Sequence, residues 1–441
     1  MAGSALRVGF AEMDITPPVG LPMCGSLKPR TNVGVDDPLQ AKSMVAEADG
    51  RMVAVVGVDL IGLPRAIVDP AIEQAAARSG VPAEAIIVSC SHTHSGPYTA
   101  EGLYSFGVTD PDYLATLPGL IAESITRAVA ALRPATMHIG RSLVHHSLHN
   151  RRVLAKDGKA VNTWFFDLLN DLNRFPQFLG SAGPIDPELW VLRFDDADGK
   201  PFGAFVNFSV HVNTHFGTRY SADYPGVIAR TLREHYGNAL VSVFTPGACA
   251  NVNSTIPGFL LERTPDSWLQ AAEHFAGYAL AAAKRAVPVT GPVSVGARRR
   301  DVTVDRRDVC AQPEEAFDRL GWPNRREVFG EDMVRFIGAM PEKLAVPVNA
   351  AHIGPFAIAT NAGELFVEHG LSIKQRSPFK HTVVAELTND VIMYQPTREA
   401  FEQQGYETMV GANRVGIDGI EALVDTAVEL LEELHQAQGG E

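Results

Sequence analysis

The chain alternates short apolar runs with segments of helical periodicity, which is the signature of an α/β fold. Met52 to Leu60 reads MVAVVGVDL, apolar on both faces, and predicts a buried strand. Asp69 to Ser79 has helical spacing, and Ala85 to Cys90 predicts a second strand. Helix is expected over Asp110 to Leu132, then strands over Thr136 to Val144, Leu189 to Phe194 and Phe202 to Val210. Tyr224 to Tyr236 predicts helix, Leu240 to Phe244 strand, and Ser267 to Val287 a long Ala-rich helix. Pro292 to Val304, Ile353 to Thr360 and His381 to Thr388 predict further strands, with helices over Gly363 to Arg376 and Ile417 to His435. No repeat or low-complexity linker interrupts the series, so residues 1–441 are read as one integrated domain.

Charge and composition exclude several classes. The formal net charge of −13 speaks against a nucleic-acid or anionic-membrane partner, since both select a basic patch. The run Arg298-Arg299-Arg300 is followed by Asp301 and reads as a solvated strand end. No apolar run approaches the roughly 18 to 20 residues that span a bilayer, so no stable membrane anchor is expected. Cys24, Cys90, Cys249 and Cys310 are widely spaced without a CxxC pair, and the first residues carry no signal-peptide core. A cytoplasmic location is expected on those grounds. There is no GxSxG elbow, Walker loop or dinucleotide fingerprint.

The sharpest local signal is Ser91-His92-Thr93-His94-Ser95-Gly96-Pro97. It follows the strand ending at Cys90, and α/β sheets bind ligands at such carboxyl ends. In extended chain, residues two apart point the same way, so His92 and His94 face one cavity as two metal ligands, or as one ligand and a proton carrier. His211 follows Phe205 to Val210 in the same strand-end position. Glu364, in Thr360-Asn361-Ala362-Gly363-Glu364, is either a ligand or a helix-dipole residue worth about 0.3 to 1 kcal/mol. Glu368 is its rival. His145, His146 and His149 sit among Arg141, Arg151 and Arg152, surroundings that disfavour a dication. Asp157 to Pro187, with Trp164, Phe165, Phe166, Phe175 and Phe178, reads as an aromatic loop, either a lid or an insertion packed on itself.

Six motifs in order extend the argument. Ala11-Glu12-Met13-Asp14-Ile15-Thr16-Pro17-Pro18-Val19-Gly20 opens the chain, followed by His92-Thr93-His94-Ser95-Gly96-Pro97 and Ser221-Ala222-Asp223-Tyr224-Pro225-Gly226. Gly363-Glu364 and Ser377-Pro378-Phe379 come next, then Tyr394-Gln395-Pro396-Thr397-Arg398-Glu399 with Gly405-Tyr406-Glu407. This series resembles the neutral/alkaline (non-lysosomal) ceramidase family over nearly the whole chain. The resemblance implies a ceramidase-like catalytic domain of mixed β-sheets with helices packed on their faces, and one zinc ion per chain, held by two histidines, a glutamate and a tyrosine, here His92, His211, Glu364 and Tyr394. It places Arg151 and Tyr406 on the site wall and His94 beside the first ligand. The family carries a serine in the segment matching Gly247-Ala248-Cys249-Ala250-Asn251-Val252-Asn253, and Asn253 stands at that position. The family's C-terminal immunoglobulin-like domain is expected to be missing beyond the helix ending near His435.

The expected chemistry is hydrolysis of a small-molecule amide by a zinc-activated water whose pKa falls toward about 7. His94 would carry the proton, Arg151 or Tyr406 would steady the oxyanion, and Asn253 would offer an amide donor. An esterase or lactonase would use the same site, and a ligand-binding member without turnover is the alternative of another class. A closed structural zinc site would draw on Cys and His. Homo-oligomer formation is left open by the sequence.

Overall fold

The computed structural model describes residues 6–102, 107–163, 178–254, 267–310, 317 and 325–439. Three larger sheets organise them. The first runs Ile86–Cys90, Arg51–Val58, Gln40–Ala48, Arg7–Asp14 and Arg133–Pro134. The second runs Val241–Pro246, Pro201–Phe208, Glu188–Asp195, Thr136–Leu143 and Val287–Pro288. The third runs Val295–Asp305, Lys343–Ile353, Phe356–Thr360 and His381–Ala385. Each is antiparallel except for one parallel pair: Arg51–Val58 with Ile86–Cys90, Pro201–Phe208 with Val241–Pro246, and Phe356–Thr360 with His381–Ala385.

Side-chain alternation explains the layering. Val53, Val55 and Ile87 point into a central cluster, while their neighbours Ala54, Val56, Ile86 and Val88 point toward the helices Arg65–Ser79 and Pro111–Ala130. In the second sheet Trp190, Leu192 and Phe205 face that same cluster, and Leu189, Val191 and Val206 face the helices Asp223–Tyr236 and Ser267–Lys284. In the third, Phe356 and Ile358 point inward, and Ala357 and Ala359 face the helix Ile417–Gly439. One apolar cluster therefore joins all three sheets, each also covered by helices, because strands buried on both faces need apolar residues at every position. Truncating a fully buried ring there, such as Phe205, costs about 3 to 5 kcal/mol.

The architecture is the mixed α/β arrangement expected, with local corrections. Glu364 lies in a two-residue strand, Glu364–Leu365, and the helix begins only at Val367, so Glu364 is not a helix-dipole residue. Gln40–Ala48 is a strand although its Lys, Ala, Met and Glu content favours helix; pairing on both edges overrides propensity, and buried Lys42 is neutralised by Asp59 at 3.0 Å. Arg7–Asp14 and Lys343–Ile353 are further strands that periodicity did not predict. Within the expected loop, Ala160–Asn162 and Phe178–Ser181 flank Arg152–Ala155 in a small sheet. Trp164, Phe165, Phe166 and Phe175 lie outside the described residues. No helix among the described residues is long and apolar enough to cross a membrane.

Candidate metal centre

The three parallel pairs end at one place, and each contributes in the same manner. After Ile86–Cys90 the chain brings in His92, whose Nδ1 donates to the Ile61 carbonyl just beyond the neighbouring strand Arg51–Val58, at 2.8 Å. After Pro201–Phe208 it brings in His211, whose Nδ1 donates to Cys249 O, just beyond Val241–Pro246, at 3.4 Å. After Phe356–Thr360 it brings in Glu364, and Glu386, just beyond His381–Ala385, accepts the adjacent Leu365 N–H at 2.8 Å. One strand of each pair presents a candidate ligating side chain and its partner braces it. His92 adopts a left-handed backbone (φ 67°), a conformation that persists where surrounding structure enforces it.

The geometry is compatible with a metal ion. A carbonyl only accepts, so each Nδ1 carries hydrogen and each ring, when neutral, directs its Nε2 lone pair inward. His94 follows the same rule, with Nδ1 on Gly25 O at 2.7 Å. His92 Nε2 stands 3.0 Å from His211 Nε2 and 3.3 Å from His94 Nε2. Glu364 Oε2 lies 3.3 Å from His92 Nε2 and 3.9 Å from His211 Nε2, buried without a hydrogen-bond donor. Lone pairs this close repel unless a proton or a metal ion lies between them. Donors about 2.1 Å from a tetrahedral centre stand roughly 3.4 Å apart, so the set fits a zinc-sized ion. Burial pushes the His94 and His211 pKa values well below the ordinary histidine value, and His92 beside them acts in the same direction. Burial also opposes charge on His92, but the Glu364 carboxylate outweighs it and raises that pKa. Among the described residues, His92, His94 and His211 are the group of ligating side chains close enough to hold an ion together.

Tyr394 is the register partner of Glu364 in a parallel pairing, Glu364–Leu365 against Tyr394–Gln395, so both side chains leave the same face. The two line a small cavity together with His92, His94 and Tyr406. The Tyr394 and Tyr406 rings meet edge to face at 5.3 Å, and Arg151 Cζ stands 5.3 Å and 5.8 Å from their centres. Arg151 is held from behind by Glu407, which accepts from Arg151 Nε at 2.9 Å and Arg152 Nη1 at 2.8 Å. Burial opposes ionisation of Glu407, but the two guanidiniums hold its pKa below the ordinary value. Arg151 Nη2 is buried without an acceptor.

Of the residues singled out in the sequence, His92, His94, Glu364, Tyr394, Arg151 and Tyr406 line this cavity or the larger one beside it, and His211 joins them through its 3.0 Å approach to His92 Nε2. Asn253 lines neither: it lies on the strand Val252–Ser254 opposite His149, with both side-chain polar atoms buried and unpartnered. Glu368 faces elsewhere and accepts from Asn251 at 2.9 Å. His145 and His146 are exposed, and His149 contacts Thr163 at 3.2 Å. Ser221 to Gly226 acts as a brace. Thr93 Oγ1 donates to Ser221 O at 2.6 Å, and Asp223 accepts the His215 N–H at 2.8 Å. Sequence reasoning missed Glu386, a fully buried carboxylate whose pKa burial raises to about 8. Its signal was a carboxylate directly after the apolar strand His381–Ala385.

The fold and site define a family of α/β proteins with a buried three-histidine, one-carboxylate centre at the strand carboxyl ends. The model for neutral/alkaline non-lysosomal ceramidase, N-terminal, matches residues 6–255, and the chain belongs to that family. Neutral ceramidase from Pseudomonas aeruginosa is 30% identical over 217 residues, 46% of this chain and 30% of that protein. Neutral ceramidase A from Dictyostelium discoideum is 24% identical over 180 residues, 39% of this chain and 21% of that protein. These sequence matches span less than a third of the relatives' length. The crystal structure of the Pseudomonas aeruginosa neutral ceramidase superposes with a TM-score of 0.75 at 20% identity, covering 98% of this chain and 75% of that chain. At that identity the likeness establishes the fold.

Proposed function

We propose that the chain is a zinc-dependent hydrolase cleaving a C–N amide bond, with His92, His211, Glu364 and Tyr394 as the ligands. The observation that carries this reading is the convergence of imidazole lone pairs on the unsatisfied Glu364 oxygen. Ceramide, in the names of the matched proteins, is one such amide. Zinc, when bound, supplies Lewis acidity toward the amide carbonyl and the attacking water. The chain's own groups do the rest. His94, its Nδ1 fixed on Gly25 O, holds Nε2 free to take the proton of the water and pass it to the leaving nitrogen. The C–O bond forms, the C–N bond breaks, and a carboxylic acid and an amine leave. Arg151 Nη2 and the Tyr406 hydroxyl are placed to steady the developing oxyanion, each well-aimed donor contributing about 3 to 4 kcal/mol.

The test is metal content by plasma mass spectrometry of wild type, His92→Ala and His211→Ala, with matched amide and ester substrates assayed beside them. About one zinc per chain in wild type, lost in both variants, with amide turnover, is expected. A fully active, zinc-loaded His211→Ala protein would sink the ligand assignment, and ester turnover alone would make the chain an esterase. A second reading has its own observation: His94 Nε2 is as near to His92 Nε2 as Glu364 Oε2 is, each at 3.3 Å, so His94 itself can be the third ligand. Loss of metal in His94→Ala selects that reading.

A further inference from the structure

We infer that His215 is a positioning residue for the candidate metal centre: paired with Asp36 and bonded to Ser95, it fixes the chain at His94. That His94 moves a proton rests on the hydrolase reading above; that His215 holds the chain there does not. Ser95 Oγ stands 2.7 Å from His215 Nδ1, and His215 Nε2 stands 3.0 Å from Asp36 Oδ2. A carboxylate only accepts, so Nε2 carries hydrogen, and the ring, when neutral, takes the Ser95 hydroxyl hydrogen at Nδ1. Arg219 donates to the other Asp36 oxygen. Burial opposes ionisation of Asp36, but Arg219 and His215 hold its pKa below the ordinary value. The carboxylate thus stays charged and selects that tautomer of the ring.

The partners are those of a serine nucleophile, its base and an orienting carboxylate, but this serine is not placed to attack. Ser95 is fully buried and is not among the described residues that line either cavity, whereas His94 and His215 both line the larger one. Both nitrogens of His215 are already engaged, so its hydrogen bonds hold rather than react. What they hold is the segment Ser91 to Gly96, which lies outside any helix or strand. Without a ladder, single hydrogen bonds set the path of such a segment. Three of them run from His94 and Ser95 to one stretch of chain. His94 N–H donates to Val212 O at 3.1 Å, Ser95 O accepts the Ser221 N–H at 3.1 Å, and Ser95 Oγ meets His215. His215 is itself anchored, since Asp223 accepts its N–H at 2.8 Å and the Trp268 ring meets it edge to face at 4.6 Å. Gly25 O sets the rotation of the His94 ring, and the bond from the next residue to His215 sets where that ring is carried. Displacing a reacting group by about 1 Å costs about 100-fold in rate.

The experiment compares the zinc-loaded chain with its His215→Asn, His215→Gln and Ser95→Ala variants. Both His215 variants lose the ring and its contact with Trp268. Asn places an acceptor where Nδ1 was and keeps the bond from Ser95; Gln reaches Asp36 and leaves Ser95 without its acceptor. Turnover is read as amine released from N-hexanoylsphingosine. The His94 Nδ1–H proton is followed by NMR and identified by its absence in His94→Ala. His215→Gln and Ser95→Ala should lower kcat about tenfold or more, with KM within about threefold and zinc content held, and should shift the His94 proton. His215→Asn should restore most of kcat and the wild-type proton position. A merely structural role would lower the melting temperature and leave the Asn and Gln variants alike. Where the wild type releases amine, equal kcat in those two variants overturns the inference. So does a His94 proton unmoved in Ser95→Ala. A shifted proton without amine release from wild type leaves this inference standing and removes the hydrolase reading for this amide; release with the proton unmoved does the reverse.

Discussion

Glu364 and Tyr394 are register partners in a parallel pairing of two residues on each strand, which sets a carboxylate and a phenol side by side at the edge of the candidate metal centre. Met393, just before the tyrosine, takes a left-handed backbone (φ 62°), and its carbonyl accepts the Glu364 N–H at 3.0 Å. The pairing thus fixes both side chains through one short stretch of backbone, and the surrounding residues decide how firmly. The following expectations test that arrangement.

Glu386 holds the Leu365 N–H, the Cys249 N–H and the Cys249 thiol, and so braces the chain beside Glu364 and the carbonyl that orients His211. Glu386→Ala should weaken zinc affinity about 10- to 100-fold, the usual range for a partner behind a ligand. Orphaning two buried N–H groups should cost about 1 to 3 kcal/mol each. Metal titration and chemical denaturation measure the two effects.

The same carboxylate predicts a pH dependence of the metal-free protein. Its folded pKa, about 8, lies above its ordinary 4.5, so its contribution is fully present below pH 4.5 and is lost as pH rises through 8. The wild-type melting temperature should decline across that window more than that of Glu386→Gln, which has no group to titrate there. Parallel profiles for the two proteins contradict the expectation.

Glu407 has the opposite sign. Its folded pKa is depressed, so its stabilisation is present above 4.5 and is lost as pH falls through its lower folded value. Glu407→Gln leaves Arg151 and Arg152 buried without their shared counter-charge and should cost about 3 to 5 kcal/mol at neutral pH. Denaturation at pH 7 and across the acid limb reads both effects.

Gly25 carries φ +84°, and a Cβ there would stand 2.5 Å from His94 Cβ. Gly25→Ala should displace His94 and lower turnover well over tenfold while zinc content holds, if His94 is the proton carrier. Zinc lost together with activity would place His94 among the ligands instead.

Asn253 stands where the resemblance puts a serine, yet it is not among the described residues that line either cavity, and its amide is buried without a partner. Asn253→Ala should leave kcat/KM within about threefold, against a loss of about 100-fold or more for His94→Ala. A comparable loss at both positions would bring the Asn253 amide to the reacting carbonyl.

The sequence by itself determined the α/β class, because strands buried on both faces must be apolar throughout and helices recur between them. It also marked His92, His94 and His211, since a polar histidine directly after an apolar strand leaves the sheet where α/β proteins bind ligands. Glu364 and Tyr394 became legible only as motifs in a family order; spacing alone left Glu364 level with Glu368. Tertiary structure decided that choice by pairing Glu364 with Tyr394 and turning Glu368 to Asn251. It alone brought together the Ile61, Cys249 and Gly25 carbonyls and the Glu386 carboxylate. Those groups act through backbone atoms and through charges that converge from strands far apart in the chain. Local periodicity reports which face of an element is apolar, and does not encode which distant strand end lies opposite.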